Sequence, residues 1–114
     1  MPPSVEDRLL DILETIAEID KMLAGYDLQQ FTDDRMRRMA TERYLGIICE
    51  AAAKLPDHVK QGEREIDWRS MNDFGNRLRH AYHATDVTIV WEVIQNDLPP
   101  LKLFAQRQTG ASGK

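Results

Sequence analysis

The residues most able to do chemistry lie close together. His80 has an asparagine one helical turn before it, Asn76, and two nearby arginines, Arg77 and Arg79. Histidine titrates near neutrality and can move protons, and arginine neutralises charge building on a phosphate. Asn76 can orient the imidazole or a phosphate oxygen. Such a set suits acid–base chemistry on a phosphodiester, cleaving RNA by activating its 2′-hydroxyl without a metal. The simpler reading is a solvated helix face. A metal site is not expected: His80 and His83 stand three apart, but zinc wants three or four protein ligands and His58 is isolated. No cofactor is implied.

These groups need a helix to gather them, and the pattern predicts one from Trp68 to about Ala84, capped by Asp67. On a wheel centred on His80, Arg69, Asp73, Asn76, Arg77 and His83 fall within about 60°. Met71, Phe74, Leu78 and Tyr82 lie opposite and form the apolar stripe. Tyr82 is therefore expected as a core tyrosine with its hydroxyl at the edge. Gly75 inside this helix costs about 1 kcal/mol relative to alanine, which points to close backbone packing there.

The other elements are helical too. Ser4, followed three residues later by Asp7, starts a helix in which Val5, Leu9, Ile12, Leu13, Ile16, Ile19 and Leu23 recur at three- and four-residue steps, and Gly25 ends it. Asp27 to Thr32 can begin the next element. From Asp33 to Leu55, Met36, Met39, Ala40, Tyr44, Ile47, Ile48, Ala51 and Ala52 keep the same period, and Pro56 closes this second long helix. Asp57 to Glu65 reads as a loop with one helical turn at most. Thr85 or Asp86 can cap a fourth helix through Val87, Val90, Trp91, Val93 and Ile94. Asp97 with Pro99 marks a new start, and Leu101, Leu103 and Phe104 form a short last helix. No strand pattern competes, so the expected fold is all-α, an antiparallel bundle of four to five helices.

At 114 residues the chain can bury one core. The expected organisation is a single domain over residues 1–108 with a flexible polar tail over 109–114. A formal charge of −4 excludes bulk electrostatic attraction to nucleic acid, so any such contact is local. Arg35, Arg37, Arg38 and Arg43 could guide RNA or simply form a solvated edge. Cys49, the one cysteine, reads as core filler, and Trp68 and Trp91 as core anchors. The N-terminus has no basic region followed by an apolar stretch, and no run approaches a membrane span, so a cytoplasmic protein without a membrane role is expected.

The run GNRLRHAYHATDVTIVWEVIQNDLPPL, from Gly75 to Leu101, resembles the HepT-like group of HEPN domain proteins, the toxin halves of bacterial and archaeal toxin–antitoxin pairs. The resemblance extends more loosely to ERYLGIICEAAAKLP, Glu42–Pro56, and to Ile66-Asp67-Trp68-Arg69. It implies a helical homodimer whose motif faces meet in a cleft that acts as a metal-independent endoribonuclease. The implied partner is a minimal nucleotidyltransferase antitoxin. The family motif is an arginine, a short spacer, a histidine and, two positions later, a tyrosine. His80 and Tyr82 match its end, and Tyr82 stands where the antitoxin attaches AMP. Asp73, Phe74 and Gly75 occupy the positions open to the arginine, Gly75 the commonest of them, while Asn76 is retained. Arg77 or Arg79 would then supply the charge. The rival is a catalytically impaired module that binds RNA or a nucleotide, or only docks the nucleotidyltransferase.

Overall fold

In a computed structural model that describes residues 3–80 and 86–110, most helices start where side chains can satisfy free backbone N–H groups. Helix α1 spans Val5–Met22, and its capping box is complete: Ser4 Oγ accepts from the Asp7 N–H at 3.0 Å while Asp7 accepts from the Ser4 N–H at 3.0 Å. Gly25, at φ 80°, turns the chain in a conformation that a Cβ would strain. Asp27 and Gln30 form a second capping box at the head of α2, Leu28–Asp33.

The long helix expected from Asp33 to Leu55 is present, two residues shorter at each end. It runs as α3, Arg35–Ala53, and starts at Arg35 because Asp34 leaves helical geometry and caps it, accepting from the Arg37 N–H at 3.0 Å. The same carboxylate accepts from Tyr26 Oη at 2.9 Å and pairs with Arg37. Arg37 in turn lies over the Tyr26 ring and donates to the Met22 carbonyl. These hydrogen bonds, the Arg37 N–H foremost, hold the Asp34 carboxyl below its ordinary range. The break is thus tied to the end of α1 by contacts distant in sequence.

Pro56 follows α3, and α4 is the single turn Asp57–Lys60. The motif helix is α5, Trp68–His80. Asp86 caps α6, Val87–Glu92, accepting from the Thr88 N–H at 2.9 Å. No new start separates α6 from α7, Leu98–Thr109; a π-helical turn, Val93–Asp97, joins them. Pro99 and Pro100 bring no N–H to the turn that precedes them. The chain widens there, and Leu98 donates to the Val93 carbonyl five residues back.

Four rods, namely α1, α3, α5 and α6 running into α7, make the all-α bundle, and no strand occurs among the described residues. Helix α3 packs on α1 and α5, and α1 also on α7. Ile12, Ile16, Ile19, Phe31, Leu45, Ile48, Leu101 and Phe104 are at most 1 % exposed. Each such side chain contributes about 1.5–3 kcal/mol of burial free energy. Trp68 meets Phe104 edge-on and Trp91 tilts against Phe31, so both anchor the core as expected. Cys49 is buried, and burial pushes its thiol up to about 11. Met36 and Met39, although in period with the core, lie on the solvent side of α3 at 84 % and 41 % exposure, and Leu103 is exposed on α7. Alternating apolar spacing shows that a helix is amphipathic; it does not say how far the buried stripe extends.

Candidate active site on the motif helix

Helix α5 begins on Asp67, which accepts from the Ser70 N–H at 3.0 Å and the Ser70 hydroxyl at 2.9 Å. Those bonds, the backbone one first, lower its pKa. Phe74 and Gly75 are buried against the rest of the bundle, and Met71 and Leu78 half-buried. Asn76, Arg77, Arg79 and His80 are exposed. On the helix surface Arg77 and Asn76 stand three and four residues before His80, spacings that put Cβ atoms about 5–6 Å apart.

The two arginines differ. Arg79 donates from Nη2 to Asn76 Oδ1, which commits the amide oxygen and leaves the N–H₂ end of Asn76 to meet a phosphate. Arg77 lies on the side of His80 and makes no hydrogen bond or ion pair among the described residues. Arg79 lies between that face and α3, bonded to Asn76 on one side. There it lines a groove of about 400 Å³ with Leu78 and, from α3, Met39, Glu42, Arg43 and Gly46.

That groove was only partly legible in the sequence. Of the arginine cluster on α3, Arg37 is bound up with Asp34 and Tyr26, and Arg38 has its Nε buried without a partner among the described residues. Arg35 lies beside Tyr26 and Met36 at the far end. Arg43 alone of the cluster lines the groove with the motif helix. Glu42 gave no signal; it is half-buried, and burial raises its pKa.

Gly75 is accounted for by packing. A Cβ built there would come within 2.6 Å of Cys49 Cβ and 3.4 Å of its Sγ. The position therefore faces α3, on the side of α5 away from His80. Tyr82 and His83 lie outside the described residues. No group of three His, Cys, Asp or Glu side chains among the described residues is placed to hold a metal ion.

The family model for "Ribonuclease HepT-like" matches residues 12–108. The chain belongs to the HepT-like ribonuclease family. It is 35 % identical over 102 residues to a Thermococcus cleftensis protein named "Probable ribonuclease HepT", covering 90 % of this chain and 93 % of the relative. A Methanocaldococcus jannaschii protein named "Putative RNase" is 29 % identical over 94 residues, 82 % of this chain and 86 % of its own length. Another so named, from Caldanaerobacter subterraneus subsp. tengcongensis, is 26 % identical over 91 residues, 80 % and 81 % of the two chains. No solved structure matches the chain.

Within this HepT-like chain the family match ends before the polar tail. No described helix is long and apolar enough to cross a membrane. At Gly75 the backbone of α5 packs closely against the Cys49 side chain of α3. The exposed arginines of α5 nearest in sequence to His80 are Arg77 and Arg79.

Proposed function

We propose that this chain is a metal-independent endoribonuclease, the toxin of a toxin–antitoxin pair. The observation that supports it is the exposed His80 on α5, with Arg77 and Asn76 within one turn, in a chain of a ribonuclease family. His80 takes the proton of an RNA 2′-hydroxyl or orients the phosphate it attacks. The 2′-oxygen then bonds to phosphorus as the bond to the 5′-oxygen breaks, and that oxygen leaves with a proton from solvent. Arg77 offsets charge on the non-bridging oxygens, while Arg79 holds Asn76, whose N–H₂ positions the phosphate. A homodimer with motif faces meeting encloses one cleft between two such sets.

The purified protein should cleave mixed RNA in the presence of a chelator; a requirement for added magnesium would contradict the mechanism. Arg77→Ala is expected to lower kcat more than KM, and Arg79→Ala to raise KM as well, since Arg79 reaches both Asn76 and the groove. If neither substitution matters, the assignment of charge is wrong. A second reading, a module that binds RNA without cutting it, is favoured by Gly75 at the motif position and would show as binding without cleavage.

The antitoxin in this reading is a minimal nucleotidyltransferase that moves AMP from ATP to Tyr82. The phenolic oxygen bonds to the α-phosphorus, pyrophosphate leaves, and the phenolic proton passes to solvent. Phenol, with a pKa of about 10, gives up its proton more easily than an alcohol. The added phosphate places negative charge where an RNA phosphate must sit. Mass spectrometry after incubation with the cognate enzyme, ATP and magnesium should find the adduct on wild type and none on Tyr82→Phe. An adduct at Tyr26 or Tyr44 would refute the assignment.

A further inference from the structure

Two glycines lie inside the packed helices α3 and α5, and only one has a reason within this chain. Gly75 is required by Cys49. Gly46 is not: a Cβ there meets nothing within 4 Å, so alanine would fit and would favour the helix. Gly46 instead floors the groove between α3 and α5. A bare backbone at the bottom of an open groove lets a ligand come closer than any side chain would.

The rest of the lining is ordered by polarity. Arg43 and Arg79 are exposed, Met39 and Leu78 are apolar, and Glu42 is half-buried with no hydrogen bond or ion pair among the described residues. Burial raises the pKa of Glu42, with the Arg38 charge opposing it. A nucleotide carries the matching sequence of groups: an anionic phosphate, a flat apolar base, and N–H donors on the base's far edge. A groove of about 400 Å³ is within the range of small-ligand sites. A helix from a second protein would have to cover two guanidiniums and a carboxylate there, which is costly unless each is paired.

We infer that this groove is the subsite for an RNA nucleotide next to the cleaved phosphate: its base lies over Gly46 between Met39 and Leu78, Arg43 and Arg79 hold its phosphate, and Glu42 accepts from an exocyclic base amine. This rests on the ribonuclease reading and adds to it a source of sequence preference. Adenine, cytosine and guanine carry an exocyclic amine for Glu42, whereas the exocyclic groups of uracil are carbonyl oxygens and only its N3–H can donate.

The test uses fluorescein-labelled RNA 12-mers of adenosine, cytidine or uridine in anisotropy titrations, alongside KM and kcat on mixed RNA. Wild type should bind the adenosine and cytidine oligomers several-fold more tightly than the uridine one, and Glu42→Gln should narrow that gap. Gly46→Leu, which fills the floor, should weaken binding of all three by about tenfold, the size expected for a lost base contact. Its mass by light scattering should stay that of wild type. Gly46→Ala covers the case in which leucine is not tolerated: it should melt above wild type and weaken binding less. Unchanged affinities in Glu42→Gln and Gly46→Ala, with cleavage intact, would overturn the subsite while leaving the ribonuclease reading standing. A changed mass in Gly46→Leu would make the groove a protein contact and also overturn it. Wild type that neither binds nor cuts RNA would remove both readings.

Discussion

His80→Ala is expected to lower kcat/KM for RNA cleavage by about 10²–10⁴-fold, the usual contribution of a positioned acid–base group, or about 3–5 kcal/mol of transition-state stabilisation. The size follows from the site. His80 is the one described imidazole on α5, and Asn76 and Arg77 within a turn of it can bind a phosphate but cannot exchange protons at neutral pH. Its exposure makes the measurement clean, because substitution of a solvent-facing helical residue changes stability by about 0.5 kcal/mol or less. The variant should melt with wild type and bind RNA nearly as well, so that the loss appears in kcat. His80→Gln separates the two roles open to the imidazole, since glutamine can orient a phosphate without carrying a proton. If His80→Gln is as inactive as His80→Ala, proton transfer is the role. An alanine variant that retains activity within about threefold of wild type would show that the chemistry lies elsewhere.

The second large effect is on stability. Gly75→Ala should destabilise the protein by about 1–3 kcal/mol, although alanine is ordinarily the better helix residue by about 1 kcal/mol. The cause is the 2.6 Å approach of the new Cβ to Cys49 Cβ. Both atoms are fixed to helix backbones, so neither can rotate away, and α3 and α5 must separate. Gly46→Ala in the same α3 provides the internal control, with an expected gain of about 0.5–1 kcal/mol because nothing stands in the way. Cys49→Gly should remove much of the cost of Gly75→Ala, giving a coupling of about 1–3 kcal/mol in a double-mutant cycle on thermal or urea unfolding. Gly75→Arg, which restores the motif arginine, should lose at least as much stability as alanine and gain no activity, because the position faces α3. Gly75→Ala melting at or above wild type would refute the packing; Gly75→Arg with faster cleavage would show that the position reaches the site after all.

Much of the local structure could be read from the chain alone because its causes are local. A cap joins residues three apart, as in Ser4 with Asp7 and Asp67 with Ser70, and both caps form. The three- and four-residue apolar period is the geometry of one helix, so the all-α fold and the division of α5 into a buried side at Phe74 and an exposed side at Asn76, Arg77 and His80 follow from spacing. Gly75 announced a close contact by its helix cost alone. His80 stands out by residue type and spacing, Tyr82 through the family motif, and the family itself is established over residues 12–108.

What remained hidden depends on partners far apart in sequence. The break between α2 and α3 at Asp34 is held by Tyr26 and Arg37 together with the end of α1, so the start of the long helix, read at Asp33 and found at Arg35, depends on those neighbours. Met36 and Met39 obey the core period, but burial needs a second element on that side of α3, and their exposure shows that this chain supplies too little cover there. The groove between α3 and α5 joins Glu42, Arg43 and Gly46 to Leu78 and Arg79. No spacing rule relates residues on separate helices. Only the packing of α5 on α3, set by the contact of Gly75 with Cys49, places them around one space and turns Arg79 toward it while Arg77 stays beside His80.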